Sequence, residues 1–135
     1  MNSFAQNALS AYQTNKNSSI QFASPHELIL RLLNGAIERI AQAKGAILQD
    51  KQKEKGELIS KSISIIGGLS ACLDHNQEGD LSKNLEDLYD YMGLQLVNAN
   101  VNNDVSKLDE VSRLLREITS AWVQIAPNKP EAVVE

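Results

Sequence analysis

Apolar residues recur along most of this chain at three- and four-residue steps, the spacing that lines one face of an α-helix. The first stripe is Leu28, Ile29, Leu32, Leu33, Ala36, Ile37, Ile40, Ala43 and Ile47, with Arg31, Glu38 and Gln42 turned away from it. It predicts a helix from Ser24-Pro25-His26-Glu27 to about Leu48. Ser24 suits the N-cap, Pro25 the first helical position and Glu27 the third, which completes a capping box. Gly35 interrupts the pattern, either because a neighbouring helix comes close or because a glycine is tolerated there. The charged stretch Gln49 to Gly56 reads as a loop.

A second stripe follows: Leu58, Ile59, Ile63, Ile66, Leu69 and Leu73, flanked by Ile65 and Cys72. Gly67-Gly68 within it suggests a kink or a close crossing. Asp74 to Gly79 is a turn by composition, and Asp80 is placed to cap a third helix. Asn102-Asn103-Asp104 then breaks the chain before a fourth stripe of Leu108, Val111, Leu115, Ile118, Trp122 and Ile125, widened by Leu114 and Ala121. Pro127 and Pro130 close that helix.

The third helix carries more apolar surface than a packed rim helix needs. Leu81, Leu85, Leu88, Met92, Leu96 and Ala99 share one face, and Tyr89 borders it. At about 100° per residue, Tyr91, Leu94, Val97 and Val101 form a second stripe roughly opposite the first. A rim helix is ordinarily polar there. The stripe is either a set of scattered surface apolar residues, which are common, or a groove awaiting another helix.

Four helices with short connections imply an all-α fold, an antiparallel four-helix bundle over residues 24–126. Residues 1–23, with Phe4, Ala8, Leu9, Ala11 and Tyr12 spaced for a short amphipathic helix, read as a segment that docks on the bundle or stays mobile. Residues 127–135 read as a disordered tail. One domain of this size, 135 residues, is long enough to bury a single core.

Composition narrows the function. A net charge of −4 and a pI near 5.2 leave no clustered cations for nucleic acid or an anionic membrane. Cys72 is the single cysteine, so no intramolecular disulfide forms. The amino terminus lacks the basic start and apolar run of a Sec signal, no stretch is long and apolar enough to span a membrane, and the expected location is the cytosol.

Candidate chemistry is sparse. A di-metal bundle site needs inward-facing Glu-x-x-His pairs, and none occurs. His26, in the first turn of the first helix, and His75, in a turn, both read as solvated and share no metal geometry. His75 also lacks the neighbouring cation a phosphotransfer histidine uses. Cys72 has no basic neighbour within a helical turn and reads as a packed apolar residue. The chain reads as neither an enzyme nor a cofactor binder.

Four segments, taken in order, give a more specific reading: Ala11–Asn15 (AYQTN), Ala23–Ile29 (ASPHELI), Leu73–Met92 (LDHNQEGDLSKNLEDLYDYM) and Ala99–Trp122 (ANVNNDVSKLDEVSRLLREITSAW). Together they resemble the flagellar secretion chaperone family FliS. The family pattern departs at two places: this chain has Leu33-Asn34-Gly35-Ala36 for Tyr-Asp-Gly-Ala, and Glu78-Gly79 for Gly-Gly. At position 33 a leucine packs but lacks the phenol's hydrogen bond.

The resemblance implies a cytosolic export chaperone in bacterial flagellum biogenesis. Its partner would be the disordered carboxy-terminal segment of flagellin, shielded from premature polymerisation and kept competent for type III secretion. The expected mode is an amphipathic helix in a groove, folding as it binds. Tyr91, Leu94, Val97 and Val101 are the contact residues expected from periodicity, and Tyr12 is carried over from the family's early tyrosine. The amino-terminal segment is a second candidate occupant of that face, covering it until flagellin arrives. Other flagellar export components are further partners this reading admits. The alternatives are a self-associating helical adaptor, whose stripe is a homodimer seam, and a phosphotransfer or metal-binding bundle.

Overall fold

The structure, a computed structural model, describes residues 24–125. The segment read from residues 1–23, Tyr12 included, and the tail from 127 lie outside the described residues. Four helices make up what is described: α1 Pro25–Leu48, α2 Gln52–Ala71, α3 Leu81–Asn102 and α4 Val105–Gln124.

α1 begins where its cap chemistry puts it. Ser24 is extended, and its hydroxyl accepts from the Glu27 N–H at 3.2 Å. Pro25 occupies the first turn, where a missing N–H costs nothing. The Glu27 carboxylate then bridges to Arg31, one turn on, at 3.0 Å. After Leu48 the chain reverses through Asp50, a non-glycine residue at φ 57, a conformation that Asp visits more readily than most side chains.

The loop expected over Gln49 to Gly56 is shorter than that, because α2 starts at Gln52. Its charged opening is helical surface. Lys51 lies 4.0 Å from Glu54 and Lys53 lies 3.9 Å from Glu57, the three- and four-residue steps that bring side chains together on a helix. α2 continues through Gly67-Gly68 to Ala71, with Gly68 buried.

Asp80 sits at the N-cap of α3 without a side-chain cap bond; its carbonyl accepts from the Asn84 N–H at 2.8 Å instead. Asn103 ends α3 in the left-handed region at φ 53. Asp104 caps α4, its carboxylate accepting from the N–H and hydroxyl of Ser106 at 3.0 and 2.6 Å.

Each helix packs against two others: α1 on α2 and α4, α3 on α2 and α4, while the diagonal pairs stay apart. Short connections reverse the chain each time, which makes the bundle antiparallel. Leu32, Leu33 and Ile40 of α1, Ile59 and Leu69 of α2, Met92 and Leu96 of α3, and Leu108, Val111 and Leu115 of α4 fill the centre. Two residues of α3 depart from their expected places. Leu81 is 70% exposed, so the α3 core stripe effectively starts a turn later, at Leu85; Tyr89 is buried rather than marginal.

Candidate binding surface

α3 decides what this bundle presents to solvent. Its inner stripe is consumed by the core, yet on the remaining surface Tyr91 is 41% exposed, Leu94 69%, Val97 51% and Val101 74%. All four stand clear of the core cluster. The spacing that puts Met92, Leu96 and Ala99 inward at zero exposure fixes the outward direction of the second set. The result is an apolar ridge about three turns long on an open face.

Polar contacts hold both ends of this face. At the α4 side, the Tyr91 hydroxyl donates to Glu110 Oε2 at 2.7 Å, and Gln95 Nε2 donates to Oε1 of the same carboxylate at 3.1 Å. These donated bonds, Tyr91's first, hold the Glu110 carboxyl below the usual range; the same bond raises the Tyr91 phenol. At the α2 side, Lys55 is only 7% exposed, and its ammonium donates to the Asn100 carbonyl and to Asn103 Oδ1, each at 2.8 Å. The last carbonyls of a helix lack intrahelical partners. A cation supplied by α2 therefore closes the end of α3, just past Val97 and beside Val101.

Toward its amino end the same helix is acidic. Lys83 donates to Asp87 at 2.9 Å, and Asp87, Glu86 and Asp90 together push its ammonium pKa up.

An open depression of about 660 Å³ lies elsewhere, at the junction of α1 and α2, lined by Gln42, Gly45, Glu54, Leu58 and Lys61 among others. No residue of α3 lines it. Its rim is charged and only Leu58 and Ala46 supply apolar side chains, so it matches no feature of the α3 face. Among the described residues, no three His, Cys, Asp or Glu side chains converge as metal ligands, and no helix is long and apolar enough to cross a membrane.

Sequence reasoning misplaced one histidine and missed several partners. His26 is not solvated: its ring stacks on Trp122, with centroids 4.7 Å apart and planes 10° from parallel. Lys55 lay inside the stretch read as loop, and Glu110 and Gln95 carried no signal because their partners sit on other turns or helices. Tyr91, Leu94, Val97 and Val101 fall on one face; Tyr12 lies outside the described residues.

The sequence profile of the family described as "Flagellar protein FliS" matches residues 8–129. Three relatives illustrate the likeness. The chain is 48% identical to the flagellar secretion chaperone FliSB of Pseudomonas aeruginosa over 120 residues, 88% of this chain and 95% of that one. It is 44% identical to the flagellar secretion chaperone FliS of Vibrio cholerae over 121 residues, 89% of each chain. Against the FliS of Salmonella typhimurium, 40% identity extends over 126 residues, 92% of this chain and 93% of that one.

Proposed function

The chain belongs to the FliS family of flagellar proteins, and from that premise we propose that it is a cytosolic secretion chaperone for flagellin. Its cargo is flagellin's disordered carboxy-terminal segment, and its work is binding rather than catalysis. Left uncovered, the apolar positions of that segment would join other flagellins before export. Covering them takes a complementary apolar surface held open by a rigid scaffold.

The observation that carries this reading is the exposed ridge of Tyr91, Leu94, Val97 and Val101 on a helix whose opposite face, from Leu85 onward, packs on the core. Fully burying one such Leu or Val side chain contributes about 1.5–3 kcal/mol. Ordering the cargo as it folds costs roughly 2–5 kcal/mol of the gross interaction. The ridge alone therefore gives weak binding, and the cargo extends beyond it to reach an interface of about 1,000 Å² or more. Tyr12 belongs to that wider contact.

The test is titration with a flagellin carboxy-terminal peptide, following helix gained on mixing by circular dichroism. Leu94→Asp combined with Val97→Asp abolishes that gain while the melting temperature stays where it was. A peptide that gains no helix with the unaltered protein, or binding that survives the double substitution, removes this reading.

A further inference from the structure

Gly93 lies in the middle of α3, immediately before Leu94 and one turn before Val97. A glycine inside a helix destabilises it relative to alanine, because the unfolded chain loses more freedom and no side chain packs in return. Usually a turn, a left-handed φ or a crowding neighbour explains such a residue. None does here. Gly79 is the glycine at positive φ among the described residues, and Gly93 is regular helix. A Cβ placed on Gly93 meets nothing within 4 Å. The position is half-buried, at the border between the packed side of α3 and the open ridge. The free bundle thus keeps a residue that weakens α3 and relieves no clash of its own.

We propose that Gly93 is where the cargo helix comes closest to α3, its backbone seated against the bare α-carbon with Leu94 and Val97 on the adjoining side. This deepens the chaperone reading and rests on it. Helices approach most closely where one of them presents no side chain, and a methyl group inserted into a formed contact forces the partner outward. Gly93 accordingly acts on specificity: it admits a cargo face that places its own bulk over Leu94 and Val97, and a methyl there disfavours it.

The prediction opposes two readouts that usually move together. Gly93→Ala raises the melting temperature of the free protein by roughly 3–6 °C. The same substitution weakens binding of the flagellin carboxy-terminal peptide by roughly tenfold in calorimetric titration. Gly45→Ala is the control: it lies in α1, which does not touch α3, and a Cβ there also meets nothing within 4 Å. It raises the melting temperature similarly and leaves the affinity alone. If Gly93→Ala leaves the affinity unchanged while the Leu94→Asp, Val97→Asp pair still abolishes it, the close approach is wrong and the chaperone reading stands. If neither alters binding, the whole α3 face is misread. A lower melting temperature for Gly93→Ala, or equal loss of affinity in Gly45→Ala, also overturns the assignment.

Discussion

The imidazole of His26 lies flat on the indole of Trp122, and each residue donates a ring N–H to the other's backbone carbonyl: His26 Nε2 to Trp122 O at 2.9 Å, Trp122 Nε1 to His26 O at 3.1 Å. This reciprocal pair joins the first turn of α1 to the last turn of α4, the two ends of the described chain. The His26 bond gives the Trp122 carbonyl a second donor beside the Ile125 N–H, which reaches it at 3.2 Å at the end of α4.

Trp122→Phe keeps a ring on His26 and removes one donor, so it lowers stability by about 1 kcal/mol in urea denaturation followed by circular dichroism. His26→Ala removes the stack as well as the other donor and costs roughly 1–3 kcal/mol. Because Trp122 is the only tryptophan, its fluorescence reads the clasp directly. The His26→Ala emission spectrum shifts toward that of a solvated indole before the bundle unfolds. An unshifted spectrum would mean the stack does not form in solution.

Lys55 gives the second prediction. Lys55→Met keeps the length of the stem and removes all three donors, leaving the Asn100 carbonyl and the Asn103 side chain without their cation. Losing hydrogen bonds from a charged group costs about 1.5–3 kcal/mol. The loss falls on the α3 terminus, so hydrogen exchange speeds up first at Ala99 to Asn103. Uniform acceleration along all four helices would show that Lys55 serves the whole bundle and does not pin one end.

What the sequence made legible follows from the range of each interaction. The four helices and the phase of α3 depend on neighbours three and four residues away, and these were readable from Leu28 to Ile125. The start of α2 was not, since a charged run ending in Gly56 looks like a loop until Lys53 and Glu57 are seen one turn apart. His26 and Trp122 are separated by 96 residues and Lys55 and Asn103 by 48, so no local pattern announces either pair. Periodicity also fixes which way Leu94, Val97 and Val101 point. Whether another helix covers them is a property of the assembled bundle, in which, among the described residues, α3 packs against α2 and α4.

Tyr89 predicts the alkaline behaviour. Burial, with a smaller contribution from the Cys72 thiol, pushes its phenol from 10.0 up to about 12. Burial pushes the Cys72 thiol up as well. A raised native pKa means the folded protein holds its proton where the unfolded chain has lost it. That stability is complete below about pH 10 and drains away as pH rises toward 12, amounting to roughly 3 kcal/mol. Tyr89→Phe has no proton to lose. Its urea midpoint therefore falls less steeply than that of the unaltered protein between about pH 10 and 12. Parallel slopes for the two proteins would show that the native phenol titrates normally.

The last prediction separates the two ends of the Tyr91 side chain. Its hydroxyl is tied to Glu110 and its ring stands beside Leu94 on the open face. If the cargo uses the ring, Tyr91→Phe keeps affinity for the flagellin peptide within about twofold, while Tyr91→Ala weakens it tenfold or more, as truncation of a buried interface aromatic does. The Glu110 carboxyl is held low by the bonds it accepts, so this tether is present above the usual carboxylate range and is lost only as pH falls through the depressed value. Peptide affinity of the unaltered protein is accordingly flat over roughly pH 6–8, where neither Tyr91 nor Glu110 changes charge. Equal losses for Tyr91→Phe and Tyr91→Ala would instead assign the binding to the hydroxyl and its partner on α4, and would move the contact from the α3 ridge to the seam between the two helices.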